Sequence, residues 1–100
     1  QSTIDKGSNN FLSWQEVLYE EDESITFCMY SSGEATEIRG FQSVELIYEI
    51  PKKNLRQTFL QLEIVLKCLN PSERANKFEE YLDRMGIEFK NHVWHQPIID

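Results

Sequence analysis

In Ser43-Val44-Glu45-Leu46-Ile47-Tyr48-Glu49-Ile50, apolar and polar residues alternate with a period of two until Pro51. Successive side chains of a strand point to opposite faces, so Val44, Leu46, Tyr48 and Ile50 share one face and Glu45, Ile47 and Glu49 the other. A strand apolar on one side and acidic on the other belongs to an antiparallel sheet covered on a single face. Beyond Pro51 the period changes. Leu55, Phe59, Leu62, Leu66 and Leu69 recur at helical spacing, which predicts a helix whose stripe lies on the sheet. Asn54 followed by Gln57 has the spacing of a capping box and is expected to open it. Leu60, Ile64 and Cys68 form a second stripe nearly opposite the first, so a second neighbour is expected. Asn70-Pro71-Ser72-Glu73 supplies one at once: a cap, a proline and an acid open a helix. Its apolar positions are Ala75, Phe78, Leu82 and Met85 with Tyr81 beside them, and Gly86 closes it. From Ile87 to Trp94 the alternation returns, with Ile87, Phe89 and Val93 inward and Pro97 as the stop.

Upstream, Ser24-Ile25-Thr26-Phe27-Cys28-Met29-Tyr30 reads as a strand with Ile25, Phe27 and Met29 on one face. Ser31-Ser32-Gly33-Glu34 reads as a turn, and Ala35 to Arg39 as the returning arm of a hairpin broken by Gly40. Trp14 to Tyr19 suits a strand better than a short helix capped by Ser13. Four consecutive acids, Glu20-Glu21-Asp22-Glu23, repel one another in a regular element and predict a loop. Residues 1–10 offer almost nothing to bury and are expected to be a flexible leader. The fold class expected is α+β: a small antiparallel sheet of three to five strands packed against an antiparallel helical hairpin, in the order β-β-β-β-α-α-β. Residues 11–100 form one domain, the usual scale for 100 residues.

The net charge of -7 is unevenly distributed. Residues 1–50 carry ten acids against two bases, a balance of -8, and residues 51–100 seven acids against eight bases, a balance of +1. Nucleic acids and anionic membranes require a positive footprint, so direct binding to either is not expected. No apolar run approaches the roughly 20 residues that span a bilayer. The expected compartment is the cytoplasm, or the periplasm or exterior if Gln1 follows a removed signal. Cys28 and Cys68 lie in apolar segments; two free thiols fit so few cysteines better than a disulfide scaffold, and a lone pair is no zinc site.

Catalytic constellations are weak. His92 and His95, with Glu88 and Asp100 near in sequence, suggest a metal or acid-base pair, but residues three apart in a strand face opposite ways. A cysteine among apolar neighbours has a raised pKa and is a poor nucleophile. Glycines are isolated, so no phosphate loop or dinucleotide fingerprint is present. No catalytic residue, metal or cofactor is assigned. A small enzyme or ligand carrier is the third-ranked reading.

The acidic set points to a basic protein partner. Glu45 and Glu49 flank Ile47 on the outer face of the strand, with Glu34 and Glu37 expected on an adjoining arm and Glu20, Glu21, Asp22 and Glu23 in a nearby loop. Trp14, Tyr30 and Trp94 are the aromatic anchors expected of such an interface. These twelve residues suit an inhibitor or immunity-type protein that neutralises a toxin or nuclease by covering its positive cleft, as a monomer or weak dimer. The simplest competing account is a surface kept wet by its acids. The second functional reading is an adaptor or regulatory subunit binding through its helical hairpin.

Overall fold

The computed structural model describes residues 1–98, which form a five-stranded antiparallel meander in the order β1-β2-β3-β4-β5. Its strands are β1 (Ser2–Ser8), β2 (Ser13–Glu20), β3 (Ser24–Ser32), β4 (Phe41–Pro51) and β5 (Lys90–Pro97). A short helix, α1 (Glu34–Glu37), connects β3 to β4, and α2 (Phe59–Cys68) and α3 (Arg74–Arg84) are inserted between β4 and β5. The expected α+β class and the order of strands and long helices hold. The four strands before the helices, however, are not the expected four.

Residues 1–10 are no leader. Ser2 to Ser8 pairs along β2 as an edge strand. Its anchor is one apolar residue, Ile4, which is buried in the core. Sparse apolarity hid the strand because an edge strand under a helix needs few inward side chains. Ala35 to Arg39, in contrast, is no strand. Gly33 adopts φ 124°, and a Cβ there would lie 2.9 Å from the Phe11 carbonyl oxygen. The chain turns at that close approach into α1, where the Thr36 hydroxyl donates to Gly33 O at 2.8 Å. β3 therefore pairs directly with β4 through Ser24↔Pro51 to Ser32↔Ser43.

The α2 boundary lies four residues beyond its expected start. Asn54 ends a single 3-10 turn, and Thr58 is the cap: its hydroxyl accepts from Gln61 N at 3.1 Å while Gln61 Oε1 accepts from Thr58 N at 2.9 Å. Leu62 and Leu66 are fully buried, and Leu55, Phe59 and Leu69 flank them as the spacing predicted. The second stripe has no cover: Leu60 and Ile64 are 61% and 54% exposed, and Cys68 is exposed. Its expected neighbour, α3, instead lies on the sheet, where Phe78 and Leu82 are fully buried. Asn70 caps the approach to α3 by accepting from Ser72 N at 3.0 Å. At the other end Gly86, with φ 68°, allows a Schellman closure, Ile87 N donating to Leu82 O and Gly86 N to Asp83 O. Ile87 is thereby buried before the strand begins, whereas Val93, expected inward, is half exposed on β5 because the helices do not reach that far.

One face of the sheet supports the core. Phe27 and Tyr48 meet Phe78 edge-on, at centroid separations of 5.5 and 5.9 Å, and the Tyr48 hydroxyl donates to Ala75 O at 3.5 Å. Burial pushes the Tyr48 phenol up to about 12. A charged group also belongs to this interior. Arg74 is 4% exposed and donates through Nη1 to both Glu16 carboxylate oxygens at 3.0 and 2.8 Å, through Nε to Leu66 O and through Nη2 to Leu69 O. A single guanidinium therefore ties β2 to the C-terminal end of α2, where Leu66 O also accepts from the N–H of the cap residue Leu69 at 3.2 Å.

Burial raises the Glu16 pKa from 4.5; hydrogen bonding and charge attraction from Arg74 oppose that shift, and the Asp5 charge adds to it. A carboxyl whose folded pKa is raised contributes stability that is complete below its unfolded value and is lost as pH rises through the folded one. Glu16→Gln has no such titration. The unfolding free energy of E16Q relative to the native chain should therefore shift in the variant's favour as pH rises from 4.5 toward 7, measured by denaturant titration at each pH. A pH-independent difference contradicts the assignment.

Candidate functional site

The face of the sheet turned away from α2 and α3 carries no helix of that pair. Residues paired across an antiparallel sheet project to the same side, so the register determines which side chains share this face. Three rows cross β3, β4 and β5: Tyr30–Glu45–Trp94, Cys28–Ile47–His92 and Thr26–Glu49–Lys90. Gln15, Val17 and Tyr19 of β2 extend them. Trp94 is 64% exposed and Tyr30 41%. Glu45, Ile47, Glu49, Tyr30 and Trp94 are thus brought together, with the two glutamates about 13 Å apart along β4.

At one end of these rows the surface deepens into an open groove of about 1250 Å3. The β2–β3 turn contributes Glu21, Asp22 and Glu23, β4 contributes Glu49, and the approach to β5 contributes Glu88. Lys52, Lys53 and Lys90 also line it against five carboxylates; with Lys52 engaged by Glu20 just outside, two ammonium groups offset the five and leave three negative charges. Glu20 stands beside this groove but is held by Lys52 at 2.7 Å. The Lys52 N–H donates to Glu23 O at 2.9 Å, which holds the acidic turn against the end of β4. The turn is thus shaped by its neighbours, not only by self-repulsion. Asn54 Nδ2 reaches Glu88 Oε2 at 3.4 Å across the groove wall.

The remaining expected residues lie elsewhere. Glu34 and Glu37 are exposed on α1, at the far end of β3 from the acidic turn, roughly 27 Å away along the strand. They do not join the groove, because the arm expected to carry them beside β4 is a helix. Trp14 projects to the helix-bearing side, in register with Ser31 of β3. Hence the acids form no single patch. Several are also balanced within the chain: Glu16 by Arg74, Glu20 by Lys52, and Glu49 opposite Lys90 in the ladder. The bases of the second half fold back onto acids of the first, so the charge asymmetry of the sequence is partly dissipated in the fold. Lys52 and Lys53 were missed because they follow β4 outside its alternating segment, and Glu88 and Lys90 because their nearness to the acidic turn comes from the pairing of β5 with β4.

Other chemistry is sparse. Cys28 donates to the Tyr19 hydroxyl at 3.7 Å, and burial raises its thiol pKa, which leaves a poor nucleophile. Burial also pushes Tyr19 up to about 12. Both cysteines are free, and Cys68, expected among apolar neighbours, is exposed. His92 shares the outer face with Ile47, whereas His95 pairs with Val44 and stacks on Phe41 at 4.3 Å, so the two rings diverge. Asp100 lies outside the described residues. Among the described residues no three His, Cys, Asp or Glu side chains gather as a metal site, and no helix is long and apolar enough to cross a membrane. Comparison of the chain with protein-family models, with curated proteins and with solved structures finds no match.

Proposed function

We propose that the chain is a non-catalytic, acidic protein-binding domain, of the inhibitor or immunity type, that covers the positive cleft of a basic partner such as a toxin or nuclease. The observation that carries this reading is the continuity of the acidic groove with the bare sheet face, on which Glu49, Ile47 and Glu45 alternate beside Trp94 and Tyr30. Carboxylates at intervals on a rigid strand match cations arranged to hold phosphates, and exposed aromatics supply apolar contact at small entropic cost. Electrostatic complementarity of this kind acts first on the rate of encounter. With the product of the neighbouring reading frame as the first partner tested, the association rate measured by stopped-flow fluorescence should fall at least tenfold from low to high salt. Glu45→Lys with Glu49→Lys should slow association more than it speeds dissociation. An association rate indifferent to salt and to both reversals overturns the proposal.

A second reading is favoured by one observation, the uncovered stripe Leu60, Ile64 and Cys68 on α2. An adaptor binding through this face would lose its complex on Ile64→Asp and keep it on the sheet-face reversals. The inhibitor reading expects the opposite pattern.

A further inference from the structure

On the helix-bearing side of the sheet, between β1, β2, β3 and the α2–α3 junction, lies a recess of about 360 Å3 walled by Leu12, Trp14 and Met29, with Asp5 and Glu16 at its side. We propose that this recess is a binding site for the cationic side chain of a lysine or arginine on a partner polypeptide. It shares Tyr30 with the sheet face proposed above but none of that face's carboxylates, and it does not depend on that reading.

Two independent observations support a built site. The first is the state of its charges. Glu16 is saturated by the paired contacts to Arg74, whereas Asp5 meets the same nitrogen only at 3.5 Å and keeps a side chain 31% exposed. Two carboxylates share one guanidinium, so one negative charge remains at the mouth of the recess with most of its accepting capacity unused. The second is the placement of the aromatic wall. A Cβ on Gly7 would stand 2.5 Å from Trp14 Cζ2, so the indole packs directly on the β1 backbone. A ring held in this way beside an under-used carboxylate provides the two contacts a long cationic side chain needs: an apolar wall for its stem and a charge for its head. Phe11, next to Leu12 in the chain, is 61% exposed and offers a partner surface an apolar contact. A bound lysine or arginine would therefore arrive on a polypeptide and not as a free amine.

Titration of the full chain with Ac-Gly-Gly-Lys-Gly-Gly-NH2, its arginine and norleucine counterparts, and n-butylamine tests this by NMR. The Trp14 indole N–H is distinguished from that of Trp94 through Trp94→Phe. Saturable shifts at Trp14, Ser31 and Met29 are expected with the lysine and arginine peptides and not with norleucine. Asp5→Asn should weaken that binding at least tenfold, and Trp14→Leu, read on the Ser31 and Met29 amides, should abolish it. Glu45→Lys with Glu49→Lys should leave it unchanged, which separates this site from the sheet face. Equal shifts with norleucine, undiminished binding to D5N and W14L, or binding of n-butylamine without either cationic peptide would overturn the proposal.

Discussion

Replacing Arg74 by alanine is expected to cost about 3 to 5 kcal/mol of folding stability, the range found when one member of a buried ion pair is removed. The loss has three sources. Glu16, 5% exposed, would retain a buried carboxylate without its cation, Leu69 O would lose its Arg74 donor, and Leu66 O would keep only the Leu69 N–H. Asp5 would lose its one cationic neighbour in that cluster and repel Glu16 unopposed. At roughly 4 to 8 °C per kcal/mol for a domain of this size, R74A should melt more than 10 °C below the native chain or fail to fold. The pair itself is a different quantity from the broken pair. Arg74→Met combined with Glu16→Leu should be less destabilised than Arg74→Met alone, because the double change leaves no unpaired buried charge. Denaturant unfolding of the four proteins measures this, and equal losses in single and double variants would refute the coupling.

Phe78→Ala is the second large effect expected, about 3 to 5 kcal/mol, as found for aromatic truncations in closed cores. Phe78 is fully buried where α3 meets β3 and β4, with Phe27 and Tyr48 edge-on and Tyr81 stacked at 6.5 Å. The rigid sheet behind it limits collapse into the vacated space. Met85→Ala, at the end of the same stripe but 51% exposed, should cost well under 1 kcal/mol. Chemical denaturation of both variants checks the contrast, and a similar loss at the two sites would contradict the packing described.

The contrast between these residues also shows what was legible in the sequence. Periodicity located β4, β3 and the inward stripes of α2 and α3, because in each a run of apolar residues occupies one face. It failed where an element is held by something else. β1 is secured by Ile4 and by pairing, and α1 by the close approach of Gly33 to Phe11, neither of which leaves a periodic signal. The Arg74–Glu16 pair did leave one. Arg74 stands four residues before Phe78 and eight before Leu82, on the buried stripe, and Glu16 alternates with Leu18 on the inward side of β2. Two charges of opposite sign at inward positions of neighbouring elements are a legible sign of a buried pair, and reading Glu16 only as one of ten acids concealed it.

For the site, alternation placed Glu45, Ile47 and Glu49 correctly on an outer face, and the ladder joined Tyr30 and Trp94 to them. Composition could not reveal that Glu34 and Glu37 stay at the opposite end from Glu21 to Glu23, since the segment expected to return beside β4 is the helix α1 at the far end of β3. Nor could it reveal how far lysines from the second half offset the first. What remains after this compensation is narrower than an acidic half: a groove with three uncompensated charges, open to a sheet face with exposed aromatics.

That surface is the centre of the functional account, and cross-saturation NMR on the complex with the basic partner tests it most directly. Saturation transferred from the partner should concentrate on Tyr30, Glu45, Ile47, Glu49 and Trp94 and on the turn from Glu21 to Glu23, and leave α2 and α3 unaffected. Transfer centred on Leu60, Ile64 and Cys68, with the sheet face silent, would contradict it.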